Sequence, residues 1–330
     1  MRPFEYARPA TEAEAVEFLA EPHGHTAVLA GGTDLFNLLK QDLVRVRRVV
    51  DIKHIPSLRE ITPENGGVKL GALVTLADLA QHAAAADYRA LIDVVEGVRA
   101  IQIQCWGTIA GDLCLHPNCW YYRNGYGLLA WQNGASLVAA GDNRYHAILG
   151  NQGPAKFVNA SRFAPGLIAW NAKVRIIGPA PTDAEWVPLE YFYVTPKTEQ
   201  QGHTILKPGQ LLTHVWLPAA ENVRSATYEV LETEGLDWPL ASAAACLDIE
   251  GGVVRAARIV MGHVAPVPWV AQAAARWLVG RPVSEDTAAT VGDMAVAQAT
   301  PLSKNEYKVQ LARTAVKRAV LKAAGLWEGA

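Results

Sequence analysis

Two glycine runs carry the residue types that could do chemistry: Ala30-Gly31-Gly32-Thr33-Asp34 and Gly107-Thr108-Ile109-Ala110-Gly111-Asp112. Each sets glycines, which let backbone N–H groups come close to an anion, beside a threonine hydroxyl. The chemistry this suits is phosphate binding. The first run follows an expected strand over 27–30 and precedes the apolar Leu35, Leu38 and Leu39. Its amides therefore fall at a strand-to-helix junction, where unsatisfied N–H groups and the helix dipole favour an anion. Neither run fits G-x-G-x-x-G or G-x-x-x-x-G-K-S/T, which argues against a Rossmann or P-loop site. Either run alone reads as well as a plain turn. As a pair they can hold the two phosphates of a dinucleotide from opposite sides.

Other candidate groups are weaker. Cys105, Cys114, His116 and Cys119 supply four soft ligands, yet the paired C-x₂₋₄-C knuckles of zinc sites are missing. The alternative is small buried thiols packed against Trp106 and Trp120. His23, His25, His54, His82 and His203 show no spacing suited to a metal or a general base, so isolated surface histidines are expected. There is no nucleophile elbow and no H-E-x-x-H. A net charge of −2 gives no reason to expect nucleic-acid binding, and no apolar run is long enough to span a bilayer. Residues 1–6 lack the apolar core of a signal peptide, so a cytoplasmic chain with reduced thiols is expected.

The elements that position the glycine runs follow from pattern. Thr11 and Glu14 suit a cap opening a helix through Leu19; a strand ending at Leu29, a helix over 35–41 and a strand over 49–52 complete a first α/β unit, residues 1–58. A second unit, 59–220, holds a strand over 68–71, helices over 75–86 and 91–98, and a strand over 173–177. Within it, about 114–151 forms an aromatic-rich insertion with irregular backbone. The remainder, 221–330, has strands over 227–231, 241–249 and 253–264, the last two joined at Gly251-Gly252. Helices over 270–279, 285–299 and 305–324 cover this three-stranded sheet. The terminal helix carries Lys308, Arg313, Lys317, Arg318 and Lys322, either as a solvated face or as a docking surface for a partner.

The two runs resemble the paired FAD-binding loops in the flavoprotein subunit of molybdenum hydroxylases, the family of the xanthine dehydrogenase, carbon monoxide dehydrogenase and 4-hydroxybenzoyl-CoA reductase flavin subunits. The resemblance extends in register through Val49-Val50-Asp51-Ile52, Ser161-Arg162-Phe163-Ala164-Pro165-Gly166-Leu167, Asp237-Trp238-Pro239-Leu240, Met261-Gly262-His263 and Tyr307-Lys308-Val309. It implies an α+β chain: a two-subdomain FAD-binding fold of the vanillyl-alcohol-oxidase type, followed by an antiparallel sheet covered by helices. By the same resemblance Leu29, Ala30, Gly31, Gly32, Thr33, Asp34 and Leu35 wrap the FAD pyrophosphate. Gly107, Thr108, Ile109, Ala110, Gly111 and Asp112 cover its opposite side. No residue of the chain would act on the organic substrate. Molybdenum cofactor would sit in a large partner subunit and 2Fe–2S clusters in a small one, with this chain relaying electrons to a small-molecule acceptor. Alternatives are a stand-alone FAD oxidoreductase and a scaffold that has lost FAD.

Three positions depart from the family pattern. Asp112 stands where relatives often have asparagine, placing a carboxylate near a pyrophosphate, which is repulsive unless it is turned away. Arg162 stands where many have an aspartate, and its charge is expected to pair with phosphate or with Asp112. In the insertion, Cys119 matches the first of four cysteines that hold a 4Fe–4S cluster in some relatives. The other three positions are Gly127, Leu137 and Tyr145, so an insertion without a cluster is expected, its volume filled by aromatic side chains.

Overall fold

A computed structural model describes residues 1–20, 25–235 and 237–327; His23 lies outside them. The first sheet is parallel, with Arg48–Asp51 between Glu5–Ala7 and Thr26–Leu29. All four residues of the middle strand are buried, as expected of a parallel strand covered on both faces. Leu29 is in register with Asp51, so the first glycine run leaves the sheet at its carboxyl edge. Ligands of parallel sheets gather at that edge. The helix Glu12–Leu19 starts where Thr11 accepts from the Glu14 amide, and Leu35–Lys40 follows the glycine run.

The second sheet is antiparallel, in the order Ile61–Glu64, Gly67–Gly71, Leu211–Leu217, Lys173–Ile177, Ala184–Pro188. Its middle strand comes from beyond the insertion and pairs with strands that begin 144 and 38 residues earlier. The helix expected over 75–86 is shorter, Leu76–Gln81, because His82 is extended and caps a separate turn, Ala83–Ala85. A further helix, Ile101–Trp106, stands before the second glycine run, with none of its residues buried.

The third sheet has four strands where three were expected: Val223–Val230, Ala241–Glu250, Val253–Gly262 and the short Trp269–Val270. Alternate side chains of Ala241–Glu250 serve two cores. Ala244 and Cys246 join the core that runs through both other sheets, while Ala243, Ala245 and Leu247 face the helices Gln272–Leu278, Glu285–Val296 and Tyr307–Ala323. The terminal helix is not a free basic face. Lys308 is 1% exposed and donates to the carbonyls of Tyr145, His146 and His263. Arg313 pairs with Asp293, Lys317 with Glu285 and Lys322 with Asp93, while Arg318 donates to the Tyr228 hydroxyl. Among the described residues no helix is long and apolar enough to cross a membrane.

Candidate functional site

The two glycine runs meet. A Cβ on Gly31 would lie 1.6 Å from the Trp106 carbonyl oxygen and 3.5 Å from Thr108 Cγ2, so only glycine lets the first run sit against the second. Gly32 takes φ +79°, the left-handed region glycine favours, with the Phe36 ring directly against it. Among the described residues, the N–H groups of Gly31, Gly32, Thr33 and Asp34 have no acceptor. Unpaired amides in consecutive positions make a concavity suited to an anion. Phe36 and Trp106, 42% and 57% exposed, place two aromatic residues beside this opening.

Most amides of the second run are already bonded. Gly107 donates to the Ile103 carbonyl (2.7 Å), Ile109 to Val74 (3.0 Å), Ala110 to Ala72 (3.2 Å) and Asp112 to Thr108 (2.9 Å). The Gly111 amide donates to Thr108 Oγ1 at 3.1 Å, which caps the short helix Ile109–Leu113. The two runs therefore differ: the first is an open loop and the second a largely bonded wall. The Ile109 and Ala110 amides anchor this wall to the segment after Gly67–Gly71, and among the described residues the Thr108 amide has no acceptor.

Asp112 is turned away from the opening. Its carboxylate accepts from the Ser161 hydroxyl, the Arg162 amide (3.2 Å) and the Phe163 amide (3.1 Å). Burial nevertheless pushes its pKa up to about 6. Arg162 does not pair with that carboxylate through its side chain. Its guanidinium forms a two-pronged bond with Glu229, one prong at 2.9 Å, and both side chains are nearly buried. Glu229 lies 67 residues away, and nothing in the local pattern marked it.

The insertion reaches the first run through one residue. Arg123, at the end of the short helix Trp120–Arg123, meets Asp34 at 2.7 Å and also donates to the carbonyls of Pro117 (3.1 Å) and His116 (3.2 Å). Aromatic groups fill the surrounding volume: Trp120 packs edge-on to Tyr145, and Tyr121 lies against Tyr126 and His146. Cys119 Sγ is 3.1 Å from His146 Nε2. Among the described residues no three His, Cys, Asp or Glu side chains stand close enough to hold a metal ion. The soft-ligand set is dispersed. Cys105 is exposed, burial drives the Cys114 thiol up to about 12, and His116 stacks on Tyr122. His203, expected on the surface, is buried against His116, and burial lowers these two imidazoles to about 3 and about 4.

One cation beside the first run escaped the sequence pattern. Lys53 Nζ lies 2.7 Å from Asp51 Oδ1 and 3.4 Å from the Ala30 carbonyl. The signal available was its place two residues past a buried strand, at the carboxyl edge of a parallel sheet.

Residues 2–220 match the family model described as FAD binding domain in molybdopterin dehydrogenase, and residues 226–323 match CO dehydrogenase flavoprotein C-terminal domain. The chain is 28% identical over 316 residues to the aldehyde oxidoreductase FAD-binding subunit PaoB of Escherichia coli, covering 95% of this chain and 96% of that one. It is 23% identical over 322 residues to the carbon monoxide dehydrogenase medium chain of Hydrogenophaga pseudoflava, covering 96% of each. Among solved structures it resembles quinoline 2-oxidoreductase from Pseudomonas putida 86, with TM-score 0.76 and 25% identity over 98% of both chains.

Proposed function

The chain belongs to the FAD-binding-domain family of molybdopterin dehydrogenases, and on that premise we propose that it relays electrons within a molybdenum hydroxylase complex. Its place is that of the FAD-binding medium subunit. Electrons would come from 2Fe–2S clusters of a small subunit, fed by a molybdenum site in a large one, and leave to an external acceptor. The three segments 1–58, 59–220 and 221–330 would be two FAD-binding subdomains and a covering domain.

The observation that carries the reading is the open first run seated against the anchored second one. Bound FAD supplies two-electron redox chemistry; the chain's own residues hold and shield it. The free amides of Gly31, Gly32, Thr33 and Asp34 would donate to the diphosphate, with Leu29, Ala30 and Leu35 shaping the loop ends. Residues Gly107, Thr108, Ile109, Ala110, Gly111 and Asp112 would form the opposing wall, where the Thr108 hydroxyl still has its proton to donate. Phe36 and Trp106 would exclude water from the opening. The inward turn of Asp112 and the pairing of Arg162 with Glu229 remove the repulsion and the stray charge that favoured a scaffold without FAD.

The test uses the chain co-expressed with candidate large and small subunits and isolated gently. The complex should carry flavin, iron and molybdenum together. Gly31→Ala, which drives a methyl into the Trp106 carbonyl, should lose FAD, with a dissociation constant raised at least about tenfold (about 1.4 kcal/mol). Gly153→Ala, where an added Cβ meets nothing within 4 Å, should bind as before. A colourless complex that takes up no added FAD overturns the reading.

A further inference from the structure

A diphosphate carries two negative charges, and the open amides of the first run offer dipoles with no full positive charge. The acids and cations around that run are mostly matched to one another. Asp34 faces Arg123, which also donates to the Pro117 and His116 carbonyls. At the carboxyl edge of the parallel sheet, Arg8 is engaged with the His54 ring and Arg59 with the Lys53 carbonyl. Lys53 is matched to Asp51, but its ammonium also reaches the backbone of the glycine run, at the Ala30 carbonyl, and its side chain is 24% exposed.

We propose that Lys53 is the cation that binds the diphosphate of FAD, completing the site that the glycine runs begin. The inference rests on the FAD reading above and adds a residue to it. An ammonium has three donors. Asp51 Oδ1 takes one at 2.7 Å and the Ala30 carbonyl a second at 3.4 Å, leaving the third for a phosphate oxygen. Asp51 does not depend on that ammonium alone: it also accepts from the Tyr6 hydroxyl and from the Lys53 amide at 3.0 Å. Sharing the ammonium with phosphate therefore leaves no buried carboxylate stranded. The backbone of Lys53 is held from behind by Arg59, which donates twice to its carbonyl at 3.2 and 3.0 Å. The register of Leu29 with Asp51 places the start of the glycine run and the turn bearing Lys53 side by side. A compact point charge on a flexible stem suits a phosphate that already has its orientation set by backbone amides.

The test titrates the full apo chain with FAD at low and at high salt, for the unaltered protein, Lys53→Met and Lys53→Arg. Lys53→Met should raise the FAD dissociation constant at least about tenfold at low salt and flatten its salt dependence, because one charge contact with phosphate is gone. Lys53→Arg should recover most of the affinity and of the salt dependence. Two results overturn the proposal: Lys53→Met binding FAD within twofold of the unaltered chain, or losing affinity with the salt dependence intact, which is the mark of a purely structural lysine. An unaltered chain that fails to bind FAD overturns the FAD reading first, and is told apart because it needs no variant.

Discussion

Asp112 shows how a residue's place in the sequence can be read while its side-chain direction stays open. Its position after Gly111 put it beside a presumed phosphate, but the donors that turn it inward belong to residues 161–163, far along the chain. Short-range pattern carries glycine geometry well and side-chain direction poorly. The buried carboxyl has a pKa near 6, above its ordinary value, so the native state holds its proton more tightly than the unfolded chain. Its contribution to stability is therefore greatest below about pH 4 and is lost as pH rises to about 6. Urea denaturation across that window should show a decline of about 1–3 kcal/mol attributable to this group. Asp112→Asn should remove the slope, whatever it does to absolute stability.

At the level of elements, periodicity marked what local sequence controls. The strand Lys173–Ile177, the turn at Gly251-Gly252 and the helix after the first glycine run were all legible. The edge strand Trp269–Val270 was not, because two residues leave no period to read. The terminal helix was legible as amphipathic, yet Lys308 was counted with its outward basic residues, on a solvated face or a docking surface. The three carbonyls that hold it come from Tyr145, His146 and His263, and 162 residues separate it from the second. Burial lowers this ammonium to about 7 while those carbonyls give it partners. Lys308→Met keeps the stem's bulk but strands the carbonyls. Unfolding free energy should fall by about 3 kcal/mol, measured by urea denaturation. An unchanged midpoint would show that water replaces the amine.

Across the whole molecule, the insertion acts as a strut between distant parts. It grips the first glycine run through Arg123 and Asp34, and binds the stretch before the terminal helix through Asn143, which donates to Ser303 and accepts from Lys304. Composition revealed an ordered, aromatic-rich insertion, but could not reveal these endpoints, since each lies 89 or more residues away. Arg123→Met should free the loop carrying Asp34. For a partly exposed pair worth about 1 kcal/mol, FAD affinity should fall about fivefold. Equilibrium titration, with circular dichroism to confirm the fold, checks this.

The strand Leu211–Leu217 occupies the middle of the five-stranded sheet, although it is the last of the five to be made. A nascent polypeptide that has emerged only as far as the insertion has the wall's anchoring segment but not the strand that completes it. Cofactor loading must therefore await nearly two-thirds of translation, and premature termination before residue 211 yields a product unable to mature.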